Sequence, residues 1–175
     1  MAIVRSYGLD PLQKKIAKSF CDFAMKKFMP RIHNKICIKI KGKDTLLDVE
    51  GIHADVIYEE SWSPREFVLR IDTKQSYELF TKSLAHECVH IKQWAKGEMR
   101  QYERDYKMTR WHKEKVNVDR VAYGELPWEI EAHGREYGLY VEFLENNETL
   151  GALIDETHTD YKLLGPKQMV FKFGR

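Results

Sequence analysis

The sequence predicts an α+β fold in a single domain that spans residues 1–175. Apolar residues recur at helical spacing in three segments, and alternating strand-like segments lie between the first and second of them. A chain of 175 residues is also long enough to bury one hydrophobic core without disulfides. The predicted order of an N-terminal helix, strands, a long helix, an irregular insert and another helix favours a short mixed or antiparallel sheet packed against helices.

The first predicted helix begins at Asp10, because aspartate is a favoured N-cap and Pro11 suits the first helical position. Strict alternation of apolar and polar side chains over residues 36–41 then predicts a half-buried strand. One or two less regular strands are expected within residues 46–58, and residues 67–72 form another. The N-terminal region therefore supplies one helix and most of the sheet.

A long helix is predicted over residues 76–96, with Gly97 as its C-cap. Its apolar stripe consists of Phe80, Leu84, Cys88, Ile91 and Ala95. The insert, residues 98–124, is charged and aromatic, and we expect part of it, residues 111–121, to be extended. A second long helix follows Pro127 and runs to about Asn146, and a short strand is expected near residues 169–173.

Composition indicates an intracellular protein. The three cysteines are odd in number and lack CxxC spacing, which argues against a disulfide framework and favours a reducing compartment. No apolar run approaches the eighteen or so residues that span a bilayer, and the first residues lack the apolar stretch of a signal peptide. We therefore expect a cytoplasmic protein that is not secreted and has no membrane partner.

The motif His-Glu-Cys-Val-His at residues 86–90 contains the candidate metal ligands and the candidate catalytic base. Residues four apart on a helix share a face, so His86 and His90 can direct ring nitrogens at one point and form half of a tetrahedral zinc site. Glu87 lies about 100° around the helix from His86, where its carboxylate can accept a proton from a metal-bound water. We predict His86 and His90 as metal ligands and Glu87 as the catalytic base.

A catalytic zinc site needs a third protein ligand, and two glutamates of the second long helix compete for that position. We expect its core stripe to be Ile130, Tyr137, Val141 and Leu144. That stripe places Glu129 on one flank with His133 and Glu136, whereas Glu131 lies on the other and pairs with Arg135. Glu129 is therefore the preferred ligand and Glu131 the second choice.

Two further residues are weaker candidates. His112 is an alternative third ligand, but its charged surroundings favour a surface position. Tyr123 precedes the second long helix and could stabilise an oxyanion, although a structural role is the simpler interpretation.

With these residues in place, the chain resembles the gluzincin group of zincin metallopeptidases, and more closely the compact minigluzincins and the metallopeptidases of tailed bacteriophages. The resemblance lies in residues 86–93 and 126–132 and covers roughly residues 67–144. It implies a zincin-like fold, one catalytic zinc ion and Glu129 as its third ligand. It also implies that an edge strand, here residues 67–72, aligns an extended peptide. One departure is His133, which stands where gluzincins often carry Asp or Asn.

The leading prediction is therefore a zinc metalloendopeptidase that acts on protein or peptide substrates, in the host cytoplasm if the chain is phage-encoded. The alternative is a non-catalytic phage protein that zinc stabilises and that binds or regulates a partner. Residues 1–43 carry eleven lysines and arginines against two aspartates, a balance of +9. This excess, together with a more distant resemblance to the SprT-like group, makes nucleic acid a further possible partner.

Overall fold

The computed structural model describes residues 1–58, 63–102 and 105–161, and for Tyr106 and residues 156–161 it describes the backbone alone. Within these ranges the helices are α1 (Pro11–Phe28), α2 (Leu46–Glu50), α3 (Tyr77–Ala95), α4 (Pro127–Asn146) and α5 (Glu148–Tyr161). The strands are β1 (Ile3–Tyr7), β2 (Cys37–Lys43), β3 (Ala54–Tyr58), β4 (Glu66–Asp72), β5 (Met99–Tyr102), β6 (Asp105–Trp111) and β7 (Glu114–Asn117). The predicted α+β class is confirmed. The strand predicted at residues 169–173 lies outside the described residues.

The larger sheet has four strands in the order β1-β2-β4-β3, in which β3 alone is antiparallel to its neighbour. The prediction that residues 67–72 form an edge strand is wrong, because β4 pairs with β2 on one side and with β3 on the other. Within the described residues the edge strands are β1 and β3, and β3 precedes β4 in sequence but lies outside it in the sheet. Order along the chain does not reveal such an exchange.

Helices α1 and α3 pack against one face of this sheet and bury the main core. The predicted apolar stripe of α3 is confirmed, since its five residues are at most 4% exposed. The stripe predicted for α4 is wrong in its first half, because Ile130 and Tyr137 are 56% and 64% exposed, whereas Val141 and Leu144 pack against the core. Helix α4 instead buries Ala132, Leu139 and Phe143, a face that contacts α3 and the unpredicted helix α5.

The insert forms a second sheet, with three antiparallel strands in the order β5-β6-β7. The expected extended stretch at residues 111–121 is interrupted, because His112 adopts a left-handed turn conformation with φ of 51° between β6 and β7. Met99 of β5 packs with Leu126 and Trp128 in a small core of its own. This second core fixes the insert against the first turn of α4. Among the described residues, no helix combines the length and the apolar character that crossing a bilayer requires.

The turn between β1 and α1 packs tightly against β2. A Cβ added at Gly42 would collide with the backbone oxygen of Gly8 and would lie 2.7 Å from Cδ2 of Leu9 and 2.7 Å from Cγ2 of Thr73. Because one of these atoms is backbone, the collision cannot be relieved by a side-chain rotation alone. Gly42 thus permits three chain segments to meet at one end of the sheet.

We expect Gly42→Ala to lower the free energy of unfolding by about 3 kcal/mol, the upper range for overpacking a close contact. Urea unfolding followed by circular dichroism measures this change. The matched control is Gly134→Ala in α4, where an added Cβ meets nothing within 4 Å. That control should be neutral or up to about 1 kcal/mol stabilising, because alanine is the better helix former. Equal stability of the two variants would contradict the packing argument.

Candidate metal centre

Two helices bring three potential ligands to one point. His86 and His90 lie one turn apart on α3, and Glu129 lies in the first turn of α4. The Nε2 atoms of the two histidines are 3.1 Å apart, and Oε2 of Glu129 lies 3.3 Å from the first and 3.5 Å from the second. Tetrahedral ligands about 2.0–2.1 Å from a zinc ion are about 3.3 Å apart. The group therefore has the spacing of a metal site.

The donor atoms also suit a cation chemically. Oε2 of Glu129 is buried and has no well-directed hydrogen bond among the described residues, although two imidazole nitrogens adjoin it. Burial raises the pKa of this carboxyl, but His86, His90 and the Tyr123 phenol outweigh burial and hold the pKa well below its usual range. A buried carboxylate oxygen aimed at two ring nitrogens is satisfied by a shared positive ion.

The carboxylates around His86 also favour a bound cation. Burial on its own lowers the pKa of this imidazole, yet the carboxylates of Glu129 and Glu136 raise it to about 10. The pKa of His90 is also raised, against the effect of burial, chiefly by Glu129. The pocket thus favours positive charge, which protons or a metal ion can supply.

Glu136 holds the ring of His86 from the side opposite to Glu129. Its Oε2 accepts a hydrogen bond from Nδ1 of His86 at 2.9 Å and lies 3.3 Å from Nδ1 of His133. His86, His133 and Glu136 form a second group of potential ligands. However, 2.9 Å is a hydrogen-bond length, and the side chain of His133 is 51% exposed. We therefore interpret Glu136 as a carboxylate that orients His86, the role often filled by residues behind metal-bound histidines.

The role of Glu136 was not predicted from the sequence, although this residue was placed on the same helical face as Glu129. The position at which gluzincins often carry Asp or Asn lies four residues after Glu129 and is occupied by His133. The carboxylate that reaches His86 comes instead from seven positions after Glu129. Seven residues make almost two full turns, so the spacing itself was the available signal.

Glu131, the second choice for the third ligand, lies outside the group. Its carboxylate accepts from Nζ of Lys92 at 2.6 Å and from Nε of Arg135 at 2.8 Å. The expected i,i+4 pair with Arg135 therefore exists, but the contact with Lys92 is the more buried one, since the Lys92 side chain is 8% exposed. Glu131 is thus held by cations away from the point where the three ligands converge.

Glu87 lines the same pocket as the three ligands and is 5% exposed. Burial raises the pKa of its carboxyl to about 7, although His86 and His90 act in the opposite direction. A carboxyl with a pKa near neutrality can both accept and return a proton at physiological pH. The residue after His86 is therefore placed beside the centre and has acid–base properties suited to proton transfer.

The pocket forms a cleft between β3 and the insert. Its lining includes Ala54 and Val56 of β3, Gln101 and Thr109 of the insert, and the three potential ligands. Asp72 N–H donates to His53 O, so alternate residues of β3 bond to β4, and Ala54 and Val56 direct their backbone groups away from β4. Among the residues that the structure describes, no strand pairs with this outer edge of β3, which runs beside the candidate metal centre.

Tyr123 also lines this cleft, directly before α4. The residue as a whole is 53% exposed, but its hydroxyl lies against the carboxylate of Glu129. Desolvation and this carboxylate raise the pKa of Tyr123, so that the phenol remains protonated and can donate a hydrogen bond. The structure therefore places Tyr123 at the site, where the simpler sequence interpretation assigned it a structural role.

The remaining candidates lie elsewhere. His112 occupies the β6–β7 turn, where its ring packs edge-to-face with that of Trp111, and it belongs to neither group of potential ligands within the described residues. Cys21 and Cys88 are buried free thiols whose sulfurs are 3.9 Å apart behind the histidine face of α3.

The basic residues of the N-terminal region are divided between two opposite sides of the larger sheet. Lys14 and Lys18 are exposed on α1, whose apolar residues share a core with Ile40 of β2. Lys39 and Lys41 alternate with Ile40 and so lie on the other face of the strand. The charge excess is therefore not one continuous patch, and contact with nucleic acid stays a prediction.

No protein family model matches the chain, and neither a curated protein nor a solved structure matches it. The geometry of the centre and the chemistry of its residues are therefore the basis for assigning a function.

Proposed function

We propose that this chain is a zinc-dependent metallopeptidase in which Glu87 is the general base. The observation that carries the proposal is the convergence of His86, His90 and Glu129 at the base of a cleft, with Glu87 beside them. Two histidines and one glutamate are the protein ligands of a common type of catalytic zinc site, which leaves a fourth position for water. The gluzincin resemblance in the sequence supports the same ligand set.

In this proposal the zinc ion, Glu87 and Tyr123 each have a separate role in hydrolysis. A zinc ion at this centre would polarise a carbonyl and lower the pKa of a bound water towards 7. Its charge would also lower the pKa of Glu87, so that the carboxylate is ionised and ready to accept a proton. Glu87 takes the proton of the attacking water and returns it to the departing amine. Tyr123 donates a hydrogen bond to the carbonyl oxygen as negative charge develops there.

The outer edge of β3, with which no strand of the described residues pairs, supports an extended peptide as substrate. A peptide that adds to an exposed sheet edge binds through main-chain hydrogen bonds, and its alternate side chains enter neighbouring pockets. Backbone groups of Ala54 and Val56 face this edge, and both residues line the cleft that contains the ligands. A peptide paired with β3 would therefore pass over the centre in an extended conformation.

The direct test compares the protein before and after metal removal with a library of fluorescence-quenched peptides. We expect a chelator to abolish cleavage and stoichiometric Zn²⁺ to restore it, because the proposed mechanism requires the zinc ion to lower the pKa of the attacking water. Mass spectrometry of the products identifies the cleaved bonds. Tight binding of one zinc ion without cleavage of any peptide would overturn the proposal and favour the alternative of a zinc-stabilised binding protein.

A further inference from the structure

Gln93 lies three residues after His90 on α3 and is completely buried. Its Oε1 atom is 2.8 Å from Nδ1 of His90. Its Nε2 atom donates to the backbone oxygen of Trp128 at 2.9 Å and to Oε2 of Glu131 at 3.1 Å. Both ends of this amide are therefore engaged, one by the histidine and the other by α4.

These contacts determine which way the amide faces. A carbonyl oxygen and a carboxylate oxygen can only accept, so the end of Gln93 that meets Trp128 and Glu131 must be the NH2 group. Oε1 then faces His90, and because an amide oxygen can only accept, Nδ1 of His90 must carry a hydrogen. The lone pair of a neutral His90 is thereby left on Nε2, the atom that adjoins Glu129 and His86.

Glu131 is in turn held in place by charge. Nζ of Lys92 lies 2.6 Å from its Oε1 and 2.6 Å from Oε2 of Glu98, and the Lys92 side chain is 8% exposed. The Glu131 carboxylate thus lies among three donors, Lys92, Gln93 and Arg135. It can therefore only accept from Gln93, which makes the orientation of the amide unambiguous.

We propose that Gln93 and Glu131 are positioning residues that fix the tautomer and ring orientation of His90, and so set the affinity of the centre for its ion. Glu131 acts on the metal site through Gln93, without being a ligand. The inference rests on the metal centre of the proposed function, but it does not depend on hydrolysis.

The test measures zinc affinity by competition with a chelator. We expect Gln93→Met, which keeps the length of the side chain but removes the amide, to raise the Kd for Zn²⁺ by about 10- to 100-fold, the usual effect of losing the partner behind a ligand histidine. Glu131→Gln should raise it by less, at most about tenfold, because the backbone oxygen of Trp128 still requires the NH2 end of Gln93 and only one of its two acceptors is weakened.

NMR of the imidazole nitrogens provides a readout that a loss of stability does not imitate. In the zinc-loaded wild-type protein, the Nδ1 proton of His90 should exchange slowly with solvent, because it is bonded to a buried oxygen. Gln93→Met should accelerate this exchange, while the Nδ1 proton of His86, which Glu136 holds, should be unaffected.

Gln13→Met is the matched control, since Gln13 is also a buried glutamine and donates to the backbone oxygen of Thr73 at 2.9 Å, away from the centre. It should destabilise the fold without changing the Kd for Zn²⁺. Wild-type affinity in both Gln93→Met and Glu131→Gln, or an equal loss in Gln13→Met, would overturn the inference. Zinc binding with these expected losses but without hydrolysis would overturn only the peptidase proposal.

Discussion

The Glu87→Gln variant is expected to bind zinc like the wild type and to lose peptide cleavage by about 10²- to 10⁴-fold, the usual contribution of a general base. The amide has nearly the same shape as the carboxyl but cannot accept the proton of the attacking water. Burial raises the pKa of this carboxyl to about 7, which reflects the cost of desolvating its charged form, and a neutral amide at the same position avoids that cost. Initial rates of peptide cleavage, with zinc content by mass spectrometry, measure the effect.

Glu78→Gln is the control for this experiment, because it makes the same change on the same helix. Glu78 lies in the first turn of α3, where its carboxylate pairs with Lys82 of the next turn, and it is not among the residues that line the cleft. We expect its rate of cleavage to match that of the wild type. Cleavage by Glu87→Gln at the wild-type rate would exclude Glu87 as the base.

Glu129→Gln is expected to weaken zinc binding by about 10²- to 10³-fold, since a four-ligand site contributes roughly 10–16 kcal/mol and each ligand therefore about 2.5–4 kcal/mol. Glu131→Gln makes the same change two positions later on the same helix. There we expect a loss of at most about tenfold, because that residue acts through Gln93. Chelator competition measures both constants, and a larger loss in Glu131→Gln would exchange the roles of the two glutamates.

The histidine pair could be placed from sequence because the relation between His86 and His90 is local. Four positions on a helix determine a shared face whatever the rest of the fold does. The apolar stripe of α3 could be predicted for the same reason, since Phe80, Leu84 and Cys88 repeat at helical spacing beside a sheet.

The choice between Glu129 and Glu131 depended on a helix face that was partly misassigned. Ile130 was expected in the core and is exposed, because α5 and the small core around Trp128 rotate α4 away from that arrangement. The spacing of Glu129, His133 and Glu136 still indicated a common face, and this face adjoins His86. The correct grouping therefore came from relative spacing within α4, and not from the predicted orientation of the helix.

Features that depend on contacts between distant segments could not be predicted. The sheet order places β3 outside β4 although β3 comes first in the chain, so the wrong strand was expected at the edge. The role of Gln93 depends on Trp128 and Glu131, which lie 35 and 38 positions away. A lone glutamine after the motif carries no local signal of these partners.

The two helices that supply the ligands are separated in sequence by the whole insert. An ion shared by His90 and Glu129 would join positions 39 residues apart and would close the insert into a loop, as a disulfide does. The ion would then act as a removable staple, and the resistance of the fold to heat would depend on the free zinc concentration. The concentration of free zinc would thereby control the lifetime of the folded protein as well as any activity that depends on the ion.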